Sequence, residues 1–256
     1  MRDDSINHSS ETAYRLETPD QHRTFYDDWA ESYDSGFAAS KGYDYPRLIV
    51  EYFVGRVSPD QSPVLDIGCG TGLVGVSLRK QGWSSELTGV DISQGMLEVA
   101  ERKKVYEKLI CADLNETLQL PQSHFGGMIS AGTFTHGHLG PEVLFHLFSL
   151  ARPGAHAVIG INAEHHGNQD FSGAFREWEE KGIVGKTEWT EIQIYQAPEG
   201  KEVPVVTSSE QNDQQNRKQK GRNCIADKND ATGPDIKCIA VPYCLGNTQW
   251  NRNAVG

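Results

Sequence analysis

The chain has 256 residues and a net charge of -11 at pH 7, from 35 acidic and 24 basic side chains. This length suits one large α/β domain, or a domain with an appendage, and the longest apolar runs are too short to span a bilayer. The acidic balance disfavours a nucleic-acid partner, because phosphate backbones are themselves negative. We therefore expect a small-molecule substrate and neither a nucleic-acid nor a membrane partner.

The first 20 residues are polar and carry no hydrophobic pattern, which predicts a flexible arm over residues 1–20. They contain no apolar segment of the kind that directs export, and they are too acidic for a transit peptide. We therefore expect a cytoplasmic protein. The odd number of cysteines, five, agrees with reduced thiols rather than a disulfide framework.

Aromatic residues then recur at helical spacing. Phe25, Trp29 and Tyr33 are four residues apart and fall on one helical stripe. Pro46 is typical of a helix start and precedes the apolar run RLIVEYF. Together these patterns predict a helical cap over residues 24–54.

Strands and helices alternate beyond Ser62-Pro63. Apolar runs predict strands at 64–68, 87–91, 108–113, 128–132, 156–162 and 187–196, and amphipathic segments predict helices at 72–82, 93–103, from Pro141 onward and up to Gly182. This alternation predicts an α/β domain over residues 21–200 with a doubly wound, mostly parallel sheet. Residues 201–256 are polar, which predicts a disordered tail with one edge strand near 236–245.

The segment VLDIGCGTG, residues 64–72, lies where the first predicted strand meets a helix. Gly68, Gly70 and Gly72 allow a sharp turn and close approach to a ligand, and the helix N-terminus offers free N–H groups. Asp91 ends the next predicted strand, where a carboxylate can accept hydrogen bonds from ribose hydroxyls. Because residues 70–75 also fit the dinucleotide pattern G-x-G-x-x-G, the residues alone predict a nucleoside site, whether for a mononucleoside or a dinucleotide.

Asp66–Gly72 resembles the D-x-G-x-G-x-G signature of class I S-adenosylmethionine-dependent methyltransferases, whereas dinucleotide enzymes usually carry an apolar residue at the position of Asp66. The segments DISQGML, CADL, FGGMISAGTFTH and ARPGAHAVIGIN resemble later motifs of that family in the same order. The segment FYDDWAESYD is similar to the cap of small-molecule methyltransferases, including the ubiquinone-biosynthesis type and the Williams–Beuren-region methyltransferase-like proteins. The resemblance implies a Rossmann-like methyltransferase fold.

The resemblance also implies a site for S-adenosylmethionine, with S-adenosylhomocysteine as the product. The implied cofactor residues are Asp66, Gly68, Gly70, Gly72, Asp91, Met96, Asp113, Leu114 and, from the cap, Tyr33. The glycines would contact the methionine moiety and Asp91 the ribose. Asp113 would reach the adenine amine, with Met96 and Leu114 as apolar walls.

The implied reaction is methyl transfer to a small molecule by in-line displacement, in which positioning matters more than acid–base catalysis. His136 follows the fourth predicted strand and is a candidate base, with a structural histidine as the alternative. The histidine pairs lack further ligands at metal-binding spacing, so we expect no metal. Two other functions stay open: an NAD-dependent oxidoreductase, and a catalytically silent cofactor-binding module.

Overall fold

The computed structural model describes residues 8–135, 139–195 and 236–242. Within these residues the strands are β1 Val64–Ile67, β2 Leu87–Asp91, β3 Lys108–Cys111, β4 Phe125–Phe134, β5 Ala151–Asn162, β6 Thr187–Gln193 and β7 Ile236–Pro242. They form one seven-stranded sheet in the order β3-β2-β1-β4-β5-β7-β6. The predicted strands are all present, and β4 and β5 each begin earlier than their apolar runs suggested.

Strands β1 to β5 pair in parallel with one another. Helices flank these strands, so the predicted doubly wound, Rossmann-like architecture is confirmed. In this strand order β2 and β3 lie on one side of β1, and β4 and β5 lie on the other. Open α/β sheets bind their ligands at the carboxyl ends of the strands where the order reverses in this way. The glycine segment follows β1 and Asp91 ends β2, so both lie at the carboxyl edge of the sheet.

The end of the chain contributes a strand to the interior of the sheet. β7 pairs antiparallel with both β5 and β6, so it lies between them and β6 is the outer strand. The predicted edge strand near 236–245 therefore exists but is not at the edge. Residues 201–235 and 243–256, predicted to be a polar tail, lie outside the described residues.

The helices are α1 Ser10–Ala13, α2 Pro19–Ser32, α3 Tyr45–Val54, α4 Leu73–Lys80, α5 Gln94–Arg102, α6 Pro141–Phe148, α7 Ala163–Asn168 and α8 Phe171–Glu180. A π-helical segment, Tyr33–Ala38, continues α2. A capping box of Thr18 and Gln21 begins α2, and Ser93 caps α5 through the Met96 N–H. The helical cap predicted over 24–54 therefore comprises most of α2, the π-helical segment and α3.

The first part of the chain differs from the predicted arm. Residues 1–7 are outside the described range, but Ser9 caps α1 and Ala13 is buried. Ala13 packs with Trp29 of α2 and Met96 of α5 in a small apolar cluster. Leu16 packs against the same cluster, so the polar composition of the segment hid several contacts with the rest of the fold.

Alternating side chains of β1 supply two cores, one on each face of the sheet. Leu65 and Ile67 pack on the face covered by α6 and α8. Val64 belongs to the other face, which is covered by α3 and α4. Asp66 shares the face of Val64 by the same alternation, and it is fully buried. A carboxyl group therefore occupies a core position in the central strand.

Gly126, the second residue of β4, lies at a close approach of neighbouring chain segments. A Cβ atom at this position would lie 2.6 Å from the carbonyl carbon of Gln61 and 2.7 Å from Nη2 of Arg152. Arg152 donates hydrogen bonds to the carbonyl oxygens of Ser62 and Asp60 at the start of β1. The close approach of these groups leaves no room for a side chain.

Candidate functional site

The loop between β1 and α4 turns through three glycines with left-handed backbone: Gly68 has a φ of 66°, Gly70 of 52° and Gly72 of 89°. L-residues with side chains rarely adopt this conformation. A Cβ atom on Gly68 would lie 2.0 Å from Oγ1 of Thr133, whereas one on Gly70 would meet nothing within 4 Å. The loop is thus packed against β4 on one side and borders open space at Gly70.

Asp91 connects this loop to the next one. Its Oδ2 accepts a hydrogen bond of 2.8 Å from the Gly70 N–H, and its Oδ1 accepts one of 2.9 Å from the Ser93 N–H. Desolvation raises the pKa of Asp91, and the backbone N–H donors oppose that shift. The carboxylate is therefore held in one orientation at the end of β2.

A cavity under the helical cap brings most of the predicted cofactor residues together, and we call it the cofactor cavity. Its lining includes Tyr33, Gly68, Gly70, Asp91, Met96, Asp113 and Leu114. Asp113 is oriented by its neighbour, since its Oδ1 accepts hydrogen bonds from the backbone N–H and the side-chain amide of Asn115. The glycine loop, the ribose candidate and the adenine candidate therefore border one space.

Asp66 and Gly72 are the two predicted cofactor residues that do not line this cavity. The Tyr106 hydroxyl donates a 2.5 Å hydrogen bond to Oδ2 of Asp66 and accepts one of 3.1 Å from the Gly75 N–H. Burial raises the pKa of Asp66 to about 7, against the lowering effect of the Tyr106 hydrogen bond. A Cβ on Gly72 would lie 3.0 Å from Tyr106 and 3.2 Å from Ala100. Both residues support the loop from behind rather than facing the cavity.

Tyr26 of the cap also lines the cavity, together with His22 and Tyr43, which the sequence did not point to as site residues. Thr133, which follows Gly132 in β4, also lines the cavity and donates a 2.9 Å hydrogen bond to the carbonyl oxygen of Ile67. A motif search centred on the glycines could not find these residues.

Two aspartates fasten the cap to the cofactor cavity. Asp34 accepts a 2.6 Å hydrogen bond from the Thr71 hydroxyl and a 2.5 Å ion-paired one from Nζ of Lys103. Lys103 also donates to the carbonyl oxygen of Thr71. Asp27 accepts hydrogen bonds from the Ser93 hydroxyl and the Gly95 N–H at the start of α5. The cap is therefore attached at both loops that border Asp91.

The candidate base His136, like His138, lies outside the described residues. The other histidine pair has structural partners: a ring nitrogen of His165 is 2.9 Å from the Leu139 carbonyl oxygen, and Nε2 of His166 is 3.0 Å from the Ser172 hydroxyl. Among the described residues no cluster of three or more His, Cys, Asp or Glu side chains could hold a metal ion.

Sequence comparisons connect this geometry to known proteins. Residues 64–154 match a family described as a methyltransferase domain. Human methyltransferase-like protein 27 is 37% identical over 118 residues, 45% of this chain and 47% of that protein. A demethylmenaquinone methyltransferase of Symbiobacterium thermophilum is 26% identical over 142 residues, 53% of this chain and 57% of that protein. The chain thus spans about half the length of the curated relatives it matches.

Solved structures support the fold. A methyltransferase in complex with the Trm112 activator of Haloferax volcanii aligns over 85% of this chain and 97% of its own, with a TM-score of 0.55 and 14% identity. An S-adenosylmethionine-dependent methyltransferase from Thermotoga maritima aligns over 86% and 99%, with a TM-score of 0.53 and 15% identity. In the described part of the chain, no helix is both long and apolar enough to cross a membrane.

Proposed function

We propose that this chain, which by its domain match and its fold is a member of the class I S-adenosylmethionine-dependent methyltransferases, transfers a methyl group to a small-molecule acceptor. One observation carries the proposal: the glycine loop, Asp91 and Asp113 border a single cavity at the carboxyl edge of the parallel strands. When bound there, S-adenosylmethionine supplies a methyl group already activated by its sulfonium charge.

The residues of the cavity fit this cofactor. Gly70 leaves open space beside the loop, so a ligand can approach the backbone closely. Asp91 is held in a fixed orientation and can accept hydrogen bonds from the two ribose hydroxyls, while Asp113, whose Oδ1 accepts hydrogen bonds from Asn115, would accept one from the adenine amine. Met96 and Leu114 give the adenine an apolar slot. Asp66 and Gly72 would act indirectly, by holding the loop in place.

The chain's own contribution to catalysis is then positioning and water exclusion. Tyr26 and Tyr33 of the cap line the cavity and are fastened over it through Asp27 and Asp34. Aromatic rings at this place can also attract a sulfonium cation. A general base is not needed for every methyl acceptor, and His136 stays a prediction for that role. The cytoplasmic location and the absence of a nucleic-acid partner are likewise predictions of the sequence.

Binding calorimetry with S-adenosylhomocysteine, S-adenosylmethionine and NAD tests the cofactor. We expect micromolar binding of the two sulfur nucleosides and none of NAD. Asp91→Ala removes a charged acceptor for two hydroxyls, which is worth about 3 kcal/mol or roughly a hundredfold in affinity. Asp28→Ala, an exposed aspartate of α2, is the matched control and should bind normally.

The outcomes separate the competing functions. Binding of NAD alone would favour the oxidoreductase and contradict the proposal. Tight binding of S-adenosylhomocysteine with no methyl transfer to any member of a broad metabolite panel would favour the silent module. Asp91→Asn serves as a second variant, because its single amide oxygen can still accept a hydrogen bond from one of the Gly70 and Ser93 N–H groups, so it removes the charge while disturbing the loop less than Asp91→Ala does.

A further inference from the structure

A second cavity lies beside the cofactor cavity, under the same cap, and we call it the aromatic cavity. The two share Tyr26, Tyr33, Tyr43, Gly132 and Thr135 as lining residues, so they meet along one wall. Beyond this wall the aromatic cavity extends toward α1 and the end of β6. It is therefore placed where a second molecule could approach one bound in the cofactor cavity.

Aromatic side chains dominate the lining of this space. Trp29 is 4.9 Å from Tyr33 and 5.2 Å from Phe37, and Tyr43 is 5.8 Å from Tyr195, all measured between ring centroids. The planes of these pairs are inclined at between 51° and 72°, so the rings form a continuous angled wall. Angled and offset contacts are the geometries that aromatic rings favour.

The described lining residues of the aromatic cavity carry no charged side chain. No Asp, Glu, Lys, Arg or His is among the described residues that border the aromatic cavity. The polar side-chain groups of these residues are the hydroxyls of tyrosine, serine and threonine and the indole N–H of Trp29. Burial raises the pKa of both Tyr33 and Tyr43, and neighbouring tyrosines raise them further, so these hydroxyls stay protonated and lie close together. They offer hydrogen bonds but no charge to balance an anion.

We infer that the aromatic cavity is the acceptor site, and that it takes a neutral, planar aromatic molecule rather than a carboxylate or a phosphate. This inference rests on the proposed function, since it takes the neighbouring cavity as the cofactor site. A neutral nitrogen or sulfur on such a molecule would direct its lone pair at the methyl carbon, and that pair becomes the new bond. The electrons of the broken carbon–sulfur bond stay on the sulfur, and any proton on the attacking atom leaves to water.

The test uses the full chain saturated with S-adenosylhomocysteine and compares three probes of similar size by calorimetry. The probes are 2-naphthol, 2-naphthoate and the saturated decahydro-2-naphthol. We expect 2-naphthol to bind at least tenfold more tightly than either of the others, because the anion finds no counter-charge and the saturated ring finds no stacking partner. Tighter binding of 2-naphthoate, or no binding of 2-naphthol, would overturn the inference.

Two variants locate the probe. Ser10 lines the aromatic cavity but not the cofactor cavity, so Ser10→Phe should fill part of the former and weaken 2-naphthol at least tenfold. Glu11→Phe places the same ring on an exposed neighbour of α1 and should leave binding unchanged. Tyr195→Leu removes a wall by a different change and should also weaken 2-naphthol, so the result does not depend on how one variant folds. Unchanged probe binding in both cavity variants would overturn the inference.

Affinity for S-adenosylhomocysteine, measured in parallel, separates the two proposals. It should stay within twofold in Ser10→Phe and Tyr195→Leu. Failure of the unmodified chain to bind S-adenosylhomocysteine would refute the proposed function itself. Normal cofactor binding without the preference for 2-naphthol would refute only the acceptor class.

Discussion

The buried carboxyl group of Asp66 makes the stability of this protein depend on pH in an unusual direction. A carboxylate that is ion-paired in the folded state makes a protein less stable as the pH falls. Burial has the opposite effect here, because it raises the pKa of Asp66 from its ordinary value of 3.8 to about 7. Between these values the folded chain holds a proton that the unfolded chain releases. The contribution of Asp66 to stability is therefore fully present below about pH 4 and is lost as the pH rises to about 7.

The size of the effect on stability follows from how far the pKa of Asp66 is raised. About three pH units, at about 1.4 kcal/mol each, give a loss on the order of 4 kcal/mol between pH 4 and pH 7. Asp66→Asn cannot titrate, and its amide oxygen can still accept the hydrogen bond from Tyr106. Relative to the unmodified chain, the variant should gain on the order of 4 kcal/mol across this range, or on the order of 10 °C in Tm.

The assay is urea unfolding of the two proteins at several pH values from 4.5 to 8. The quantity compared is how the difference in unfolding free energy between the two proteins changes with pH. The contributions of all other titrating groups cancel in this difference, and any constant cost of the amide does not change with pH. A difference in unfolding free energy that does not change with pH would refute the reasoning. Affinity for S-adenosylhomocysteine should fall far less in Asp66→Asn than in Asp91→Ala. An equal loss would indicate that Asp66 contacts the cofactor directly.

Three further variants test the contact between the cap and α5 and the packing of the glycine loop and α4. Lys103→Met removes the partner of Asp34 in a partly exposed ion pair, so it should lower the free energy of unfolding by about 1 kcal/mol. It should also raise the dissociation rate of S-adenosylhomocysteine about fivefold in stopped-flow measurements. A rate equal to that of the unmodified chain in low salt would contradict the role of this contact. Gly75→Ala would place a Cβ 2.6 Å from Cζ of Tyr106 and should destabilise the fold by about 1–3 kcal/mol in urea unfolding. Gly70→Ala meets open space and costs only the left-handed backbone, about 1 kcal/mol, and equal or greater destabilisation than in Gly75→Ala would contradict this account.

Much of the central sheet could be predicted because its signals are local. Each parallel strand is a short apolar run, and β1 ends directly in glycines whose left-handed backbone the structure confirms. Ser93 lies at a helix start and does cap α5. In the same way, Asp91 could be placed at the cofactor cavity because it ends a strand beside the glycine loop. Residues at strand ends on one edge of a parallel sheet converge whatever the details of packing.

Other features depend on contacts between distant parts of the chain. The role of Asp66 is decided by Tyr106, 40 residues later, and the strand pattern around it gives no sign of that partner. Tyr43 reaches the cavity from the turn before α3, where it follows no periodic pattern. The segment of β7 was recognisable as a strand, but its place between β5 and β6 depends on pairing that sequence spacing does not encode.

The interior position of β7 has a consequence for how the sheet is assembled during synthesis. Each of β2 to β5 pairs with a strand that emerges before it, whereas among the described strands β6 pairs only with β7, which begins 43 residues after β6 ends. Pairing two segments this far apart in sequence is slow relative to local pairing, since the chain entropy lost on bringing them together must be overcome first. Until then the outer edge of β5 and the strand β6 present unpaired backbone groups. A nascent chain in this state is prone to aggregate and is the kind of chain that chaperones bind.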